Sequence, residues 1–456
     1  MSLKNKIRVI VTSQATTDRL SEKTSVPFKD DPQGVEHHVI NIFPSVVYQR
    51  IEGFGGALTE SAAVTLEKAG QGIRGKVLKA YFDTEKGLNY RLCRTHINSC
   101  DFSLGNYHYT AKNDRRLKTF CIARDRRLII PMIKDAQKIR GSRLKILASP
   151  WSPPDWMKTT GKMDRGGQLK PGCRKIWAEY YSKYLDAYAR EGIKISYLTV
   201  QNEPKATQTW ESCVYTAEEE RDFVKNYLGP ALRKNGHGDV RLLVWDHNKE
   251  RVFDRARTIL SDRRAAKYIW GTGFHWYSGD HFEALAMLHD LFPDKGLIFT
   301  EGCLTGPGDC GWRHGERYAH DIIGDLNNWV QGWIDWNIAL DERGGPNHSR
   351  NDVGCDAPII VDTKKKKIIF KSSYYYIGHI SKYIRPGMRR IGFSKYTQDL
   401  EVTVAKNNAG EIVTVVMNST DAKRDFVLRC GQKIAEFTIA PHSIMTLIFK
   451  ARIFSA

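Results

Sequence analysis

From Arg50 to Pro386 the chain repeats one alternation, a short apolar run followed by a longer amphipathic stretch. Eight apolar runs can be marked, at 51–56, 90–97, 144–151, 197–204, 240–248, 270–277, 296–302 and 330–340, and each has the length of a strand. The stretches between them carry helical spacing. In 174–190, for example, Ile176, Trp177, Tyr180, Tyr181, Tyr184, Leu185 and Tyr188 recur at near-helical intervals and predict a buried helix face. Eight strands alternating with helices over about 300 residues predict a (β/α)8 TIM barrel rather than an open doubly wound sheet.

Outside that region the texture is β throughout. Runs at 8–12, 38–43 and 45–48 precede it, and runs at 400–405, 411–417, 425–428, 435–439 and 444–449 follow it, separated by turns such as NNAG and APHS. The expected organisation is a small side β-sandwich built from residues 1–48 and 386–456, with the barrel, 49–385, inserted between its two parts.

Composition narrows the class. Hydrophobic residues make up 41% and charged residues 27% of 456, the range of a globular protein. No apolar run approaches the ~18 residues of a membrane span. The opening MSLKNKIRVIVTSQ turns polar too soon for a signal peptide, which sets the expectation of a cytoplasmic protein or one exported without such a signal. Lys and Arg number 70 against 51 Asp and Glu, a net charge of +19. That excess favours adsorption to polyanions and predicts peripheral contact with anionic membrane surfaces. It is unaccompanied by zinc spacing or a nucleic-acid-binding motif, so no nucleic-acid partner is expected. Nine cysteines without a CxxC pair read as buried, reduced thiols. No G-x-G-x-x-G follows an early strand, and the glycines of IEGFGG lack the Lys and Ser/Thr of a phosphate loop. Neither a cofactor nor a metal is expected.

Candidate chemistry sits at two predicted strand ends. TVQNEP at 199–204 delivers Glu203, and GLIFTEG at 296–302 delivers Glu301. The C-terminal strand ends of a barrel carry its active site, and two carboxyl groups facing each other there suit glycoside hydrolysis. A separation of about 5 to 5.5 Å, the retaining geometry, is expected. Charge on Glu301 should then raise the proton affinity of Glu203 and leave it the acid. Trp151, Trp276, Tyr277, Trp333 and Trp336 stand at the same ends and offer flat apolar faces for a sugar ring.

The motifs IEGFGGALTESAA, SCDFSLGNYHY, ASPWSPPDWMKT, TVQNEP, FHWYSGDHF, FTEGC, GWIDWNIALDERGGPNH and KSSYYYIGHISKYIRPG resemble glycoside hydrolase family 30, most of all its glucosylceramidase branch. The resemblance runs from about Arg50 to the C-terminus. It implies a retaining (β/α)8 glycosidase with a side β-sandwich, acting on glucosylceramide or a similar β-glucoside. Glu203 would be the acid/base and Glu301 the nucleophile. Asn202 would bond the 2-hydroxyl, Asp101 and Trp151 would hold the glucosyl hydroxyls, and Trp336 would be the platform. Arg94, seven residues before Asp101, would neutralise charge near the nucleophile with Tyr277 and His275. Asn351 is implied as a further substrate-binding residue.

The chain departs from that pattern at His348, where the branch carries Trp after GGPN, and in the loop 304–316. Both lie on the side of the leaving group. Two alternatives therefore accompany the leading reading, an endo-β-1,6-glucanase of the same family and a catalytically silent glycan- or membrane-binding protein.

Overall fold

The computed structural model describes residues 6–305, 311–349 and 354–450. They form two compact units, one of residues 1–53, 309–331 and 370–456 and the other of residues 54–308 and 332–369.

The second unit is built on a closed barrel of parallel strands: Gly53–Ala57, Leu92–Ile97, Lys145–Pro150, Ile195–Thr199, Arg241–Asn248, Ile269–His275, Gly296–Glu301 and Gly332–Asn337. Each of the eight overlaps one of the runs marked in the sequence, three of them reaching one or two residues beyond it. The predicted helix is Arg174–Arg190, with Trp177, Tyr180, Tyr181, Tyr184 and Tyr188 buried. Leu92, Leu147, Tyr197, Leu243, Ile298 and Ile334 form one layer filling the barrel's interior. Side chains alternate sides along a strand. The inward rows therefore continue from Leu92 to Arg94, from Leu147 through Ser149 to Trp151, and from Ile334 to Trp336. The same apolar rows that close the core aim the polar groups above it into the mouth.

That parity corrects the aromatic expectation for two residues. Trp333 and Trp276 point the other way and belong to the core, Trp333 stacked on Phe299 at 4.3 Å and 1° and Trp276 at 5.9 Å from Trp333. Within the same unit a small sheet of Leu340–Asp341, Ile359–Asp362 and Lys367–Phe370 was not anticipated, because its strands are too short to show a period.

The first unit carries one hydrogen-bonded series of ten strands, and the N-terminal and C-terminal segments pair within it. Lys6–Ser13 lies antiparallel beside Ser443–Lys450, and Val39–Arg50 lies between Arg389–Lys395 and Arg424–Cys430. Phe28, near one end of the series, meets Phe449 edge-on at 5.2 Å, so the sheet folds over a shared apolar core. Three strands escaped the sequence reading, one of them the two-residue Lys29–Asp30. Ser21–Pro27 is a partly exposed, polar edge strand, and Arg389–Lys395 opens on charged residues. Eight cysteines are described, all free and all but Cys121 buried. No described helix is long and apolar enough to cross a membrane.

Candidate active site

The fourth barrel strand ends at Thr199, and the chain turns sharply just beyond it. Asn202 N–H bonds Pro150 O at 2.8 Å and Glu203 N–H bonds Asp246 O at 3.0 Å, which ties the turn to the ends of the strands on either side. Glu203 itself takes φ +47°, a left-handed conformation that costs a non-glycine residue energy. Asp246, at the end of the fifth strand, does the same at +51°. Glu301 is the last residue of the seventh strand.

One carboxylate oxygen of Glu203, one of Glu301 and one ring nitrogen of His275 lie within 4.8 Å of one another. They adjoin a cavity of about 290 Å³ whose walls include Asp101, Trp151, Asn202, Glu203, Tyr277, Glu301 and Trp336. Trp151 and Trp336 stack at 5.2 Å and 24°. Arg94 and His275 do not line the cavity. Both are fully buried behind it, where they touch the carboxylates. Asn351 lies outside the described residues.

Arg94 organises this buried layer. Its Nη1 donates to Glu301 Oε2 at 2.6 Å, and its Nη2 donates to Asn202 Oδ1 and to Asp246 Oδ2, both at 2.8 Å. A guanidinium only donates, so the amide oxygen of Asn202 must face it and the amide N–H groups are left for a ligand. Tyr277 donates its hydroxyl to Glu301 Oε1 at 2.9 Å. His275 reaches Glu203 Oε1 through Nδ1 at 3.3 Å and Asp246 Oδ1 through Nε2 at 3.2 Å, but stays 3.9 Å from Glu301. It is therefore closer to the proposed acid than to the proposed nucleophile.

Asp246 received no role in the sequence reading, yet it holds the layer together. It is wholly buried and accepts from Arg94, His275 and Thr300, the last at 2.6 Å. Burial alone would raise its pKa; the charge of Arg94 and the bond to His275 outweigh that and keep it ionised. The signal in the sequence was an Asp at a strand end, in VRLLVWDHN, as for the two glutamates. His275 sits between carboxylates. Burial works against its charge, but Glu301, Asp246 and Glu203 together push its pKa up to about 9.

The two catalytic candidates are ordered otherwise than expected. Burial raises both carboxyls. At Glu203 it is outweighed by the His275 bond and by charge from His247 and His275, which bring it down to about 2. At Glu301 burial prevails over His275 and Arg94, and its pKa stays above the ordinary range. The protons of such a cluster belong to the group as a whole, and His275 keeps Glu203 ionised. Glu203, His275 and Glu301 are also, among the described residues, the one trio close enough to share a cation. Arg94 already places a positive charge against Glu301, which opposes a second.

Comparison with known proteins decides the family. The model of the glycosyl hydrolase family 30 TIM-barrel domain matches residues 51–384, and that of the family 30 β-sandwich domain matches residues 387–447.

The chain is a member of glycoside hydrolase family 30.

This family 30 glycosidase is 37% identical to mouse lysosomal acid glucosylceramidase over 402 residues, 83% of this chain and 77% of that one. It is also similar to the crystal structure of SrfJ from Salmonella typhimurium, at 38% identity and a TM-score of 0.94, covering 98% of this chain and 99% of that one. The endo-β1,6-glucanase BT3312 superposes at a TM-score of 0.88 with 29% identity, over 98% of this chain and 99% of that one.

Beside Asp101 the family 30 chain has a cluster of hydrogen-bonded polar groups. His348 N–H bonds Asp101 O at 3.1 Å, while His348 Nε2 meets Glu211 Oε2 at 3.1 Å. Glu211 also accepts from Asn106 at 2.9 Å, and Asn347 donates to Asp101 Oδ2 at 3.4 Å. Where the sequence reading noted only a missing tryptophan, the histidine completes a partly buried contact with the carboxylate of Glu211.

Proposed function

We propose that this chain is a retaining β-glucosidase acting on glucosylceramide or a related β-glucoside by double displacement, with Glu301 as nucleophile and Glu203 as acid/base. The observation that carries the reading is the approach of Glu203 and Glu301 oxygens to within 4.8 Å beside a cavity walled by Trp151 and Trp336. So short a gap leaves no room for a water between carboxylate and sugar, as an inverting reaction needs.

In the first step Glu301 attacks the anomeric carbon while a proton passes from Glu203 to the leaving oxygen. In the second, Glu203 takes a proton from water, which displaces Glu301. Asn202, its amide oriented by Arg94, donates to the 2-hydroxyl. Arg94 and Tyr277 hold the two oxygens of Glu301 and receive it again when it leaves the sugar. The proton that Glu203 needs is stored one hydrogen bond away on His275 Nδ1. A glycoside that seals the cavity from water raises Glu203 by desolvation and draws that proton across.

The direct test is hydrolysis of an aryl β-glucoside followed by NMR of the first sugar released. The β-anomer is expected; release of the α-anomer, or no turnover, overturns the reading. A second reading, endo-β-1,6-glucanase, is supported by the likeness to the endo-β1,6-glucanase BT3312 over 98% of this chain at a TM-score of 0.88. Cleavage of β-1,6-glucan without cleavage of glucosylceramide would establish it.

A further inference from the structure

Three of the large hydrophobic side chains exposed on the surface sit almost side by side. Phe43, Val46 and Val47 are each 43% exposed, on the strand Val39–Arg50. The register of that strand against Arg389–Lys395 slips between Ile391 and Gly392, so the segment bulges outward. Gly392 makes the bulge possible. A side chain there would begin 2.9 Å from Val46 Cβ and 3.5 Å from Phe43 Cβ, so these two residues lie together over a glycine that leaves them space. Burial of apolar surface is the main driving force of folding, and a contiguous exposed patch marks an interaction face.

The surroundings of the patch are basic. Its own strand and the two strands beyond it, Arg389–Lys395 and Leu400–Lys406, carry Arg50, Arg389, Arg390, Lys395 and Lys406 but one carboxylate, Glu401, which is bonded to His320 at 2.8 Å. Arg389 donates to Tyr48 O at 2.9 Å and Lys406 donates to Pro44 O at 2.5 Å, so both cations are held against the bulge itself. Among the described residues neither has a carboxylate within 4.0 Å, and the same holds for Arg50. Behind the bulge, Tyr48 meets Trp329 edge-on at 5.4 Å, both half-buried. Apolar tips, amphipathic aromatics below them and uncompensated cations beside them is the composition of a segment that sits at a lipid–water boundary.

We propose that the bulge of Phe43, Val46 and Val47 inserts into the surface of an anionic bilayer, with Arg50, Arg389 and Lys406 in contact with its phosphate and carboxylate headgroups. Charge complementarity selects this occupant. A protein partner would need an acidic rim around an apolar socket, whereas an anionic lipid surface provides both in one plane. The inference is independent of the glucoside reading, since it concerns the first unit alone and predicts binding to membranes that contain no sugar.

The test is flotation of the intact chain with vesicles of phosphatidylcholine alone or with about 30% phosphatidylserine. Binding is expected to rise at least about tenfold with the anionic lipid and to fall as salt screens the cations. The double variant Phe43→Ser, Val46→Ser, checked for an unchanged melting temperature, should lose it. In a chain carrying Phe43→Trp, the extra emission should be quenched by brominated lipid tails. Equal binding by the double variant, no binding by the native chain, or an unquenched Trp at 43 overturns the proposal. So does sedimentation showing a dimer that the double variant breaks, because the patch would then be occupied by a second copy.

Discussion

Arg94 Nη1 stands 2.6 Å from Glu301 Oε2, a fully buried guanidinium from the second barrel strand clasping the last residue of the seventh. The same cation orients Asn202 and neutralises Asp246. Arg94→Met should therefore lower kcat by about 10²- to 10³-fold and leave buried carboxylates without their counter-charge, at a cost of about 3–5 kcal/mol in stability. Arg94→Lys should retain part of the stability and little of the rate, since an ammonium cannot keep the fork geometry. Steady-state kinetics and urea midpoints on both variants check this.

Glu301→Gln should abolish turnover on every substrate. Glu203→Gln should lose about 10²- to 10⁴-fold on glucosides whose leaving groups need a proton, and much less on activated aryl glucosides. Equal losses across a series of leaving groups would contradict the assigned roles.

His275→Gln tests the proton store. His275 is raised from 6.5 to about 9 and holds Glu203 down to about 2. Its removal should shift the acidic limb of the kcat/KM profile to higher pH, because the nucleophile Glu301 then loses a nearby positive charge that favours its anion. The sign for stability follows from the raised pKa. The contribution of the charged imidazole is complete below about pH 6.5 and is lost as pH rises through about 9. Melting temperatures of the native chain should fall across that window, and those of His275→Gln should fall less.

In the first unit His379 is buried between Thr12 and Thr446, at 2.9 and 2.8 Å, and burial lowers its pKa to about 3. A depressed pKa gives stability that is complete above the unfolded value near 6.5 and declines as pH falls toward 3. The loss should be on the order of 5 kcal/mol at pH 3. Denaturant midpoints from pH 7 to pH 4 should drop more steeply for the native chain than for His379→Asn.

The barrel was legible because its inward rows are apolar and regular, and Glu203 and Glu301 were legible because each interrupts such a row at its end. What the sequence withheld depends on contacts between distant positions. Asp246 looks like any polar strand end until Arg94, His275 and Thr300 converge on it from three other strands. The order of the two glutamates turned on a third group, His275, that a two-carboxylate argument leaves out. Trp276 and Trp333 were placed in the site by position along the chain, whereas side-chain parity sends them into the core.

The pairing of Arg8 with Ile448 and of Ser13 with Ser443 has a consequence for synthesis. The strand Lys6–Ser13 can pair with Ser21–Pro27 as soon as that segment emerges, but its partner on the other side leaves the ribosome some 430 residues later. Every barrel strand emerges in that interval, and domains fold as units during translation. Throughout it Ile7, Val9 and Ile10, all buried in the finished protein, stay uncovered on the nascent chain. Conditions that slow elongation, or that deplete the chaperones shielding such segments, should reduce the yield of soluble protein more than its final stability suggests.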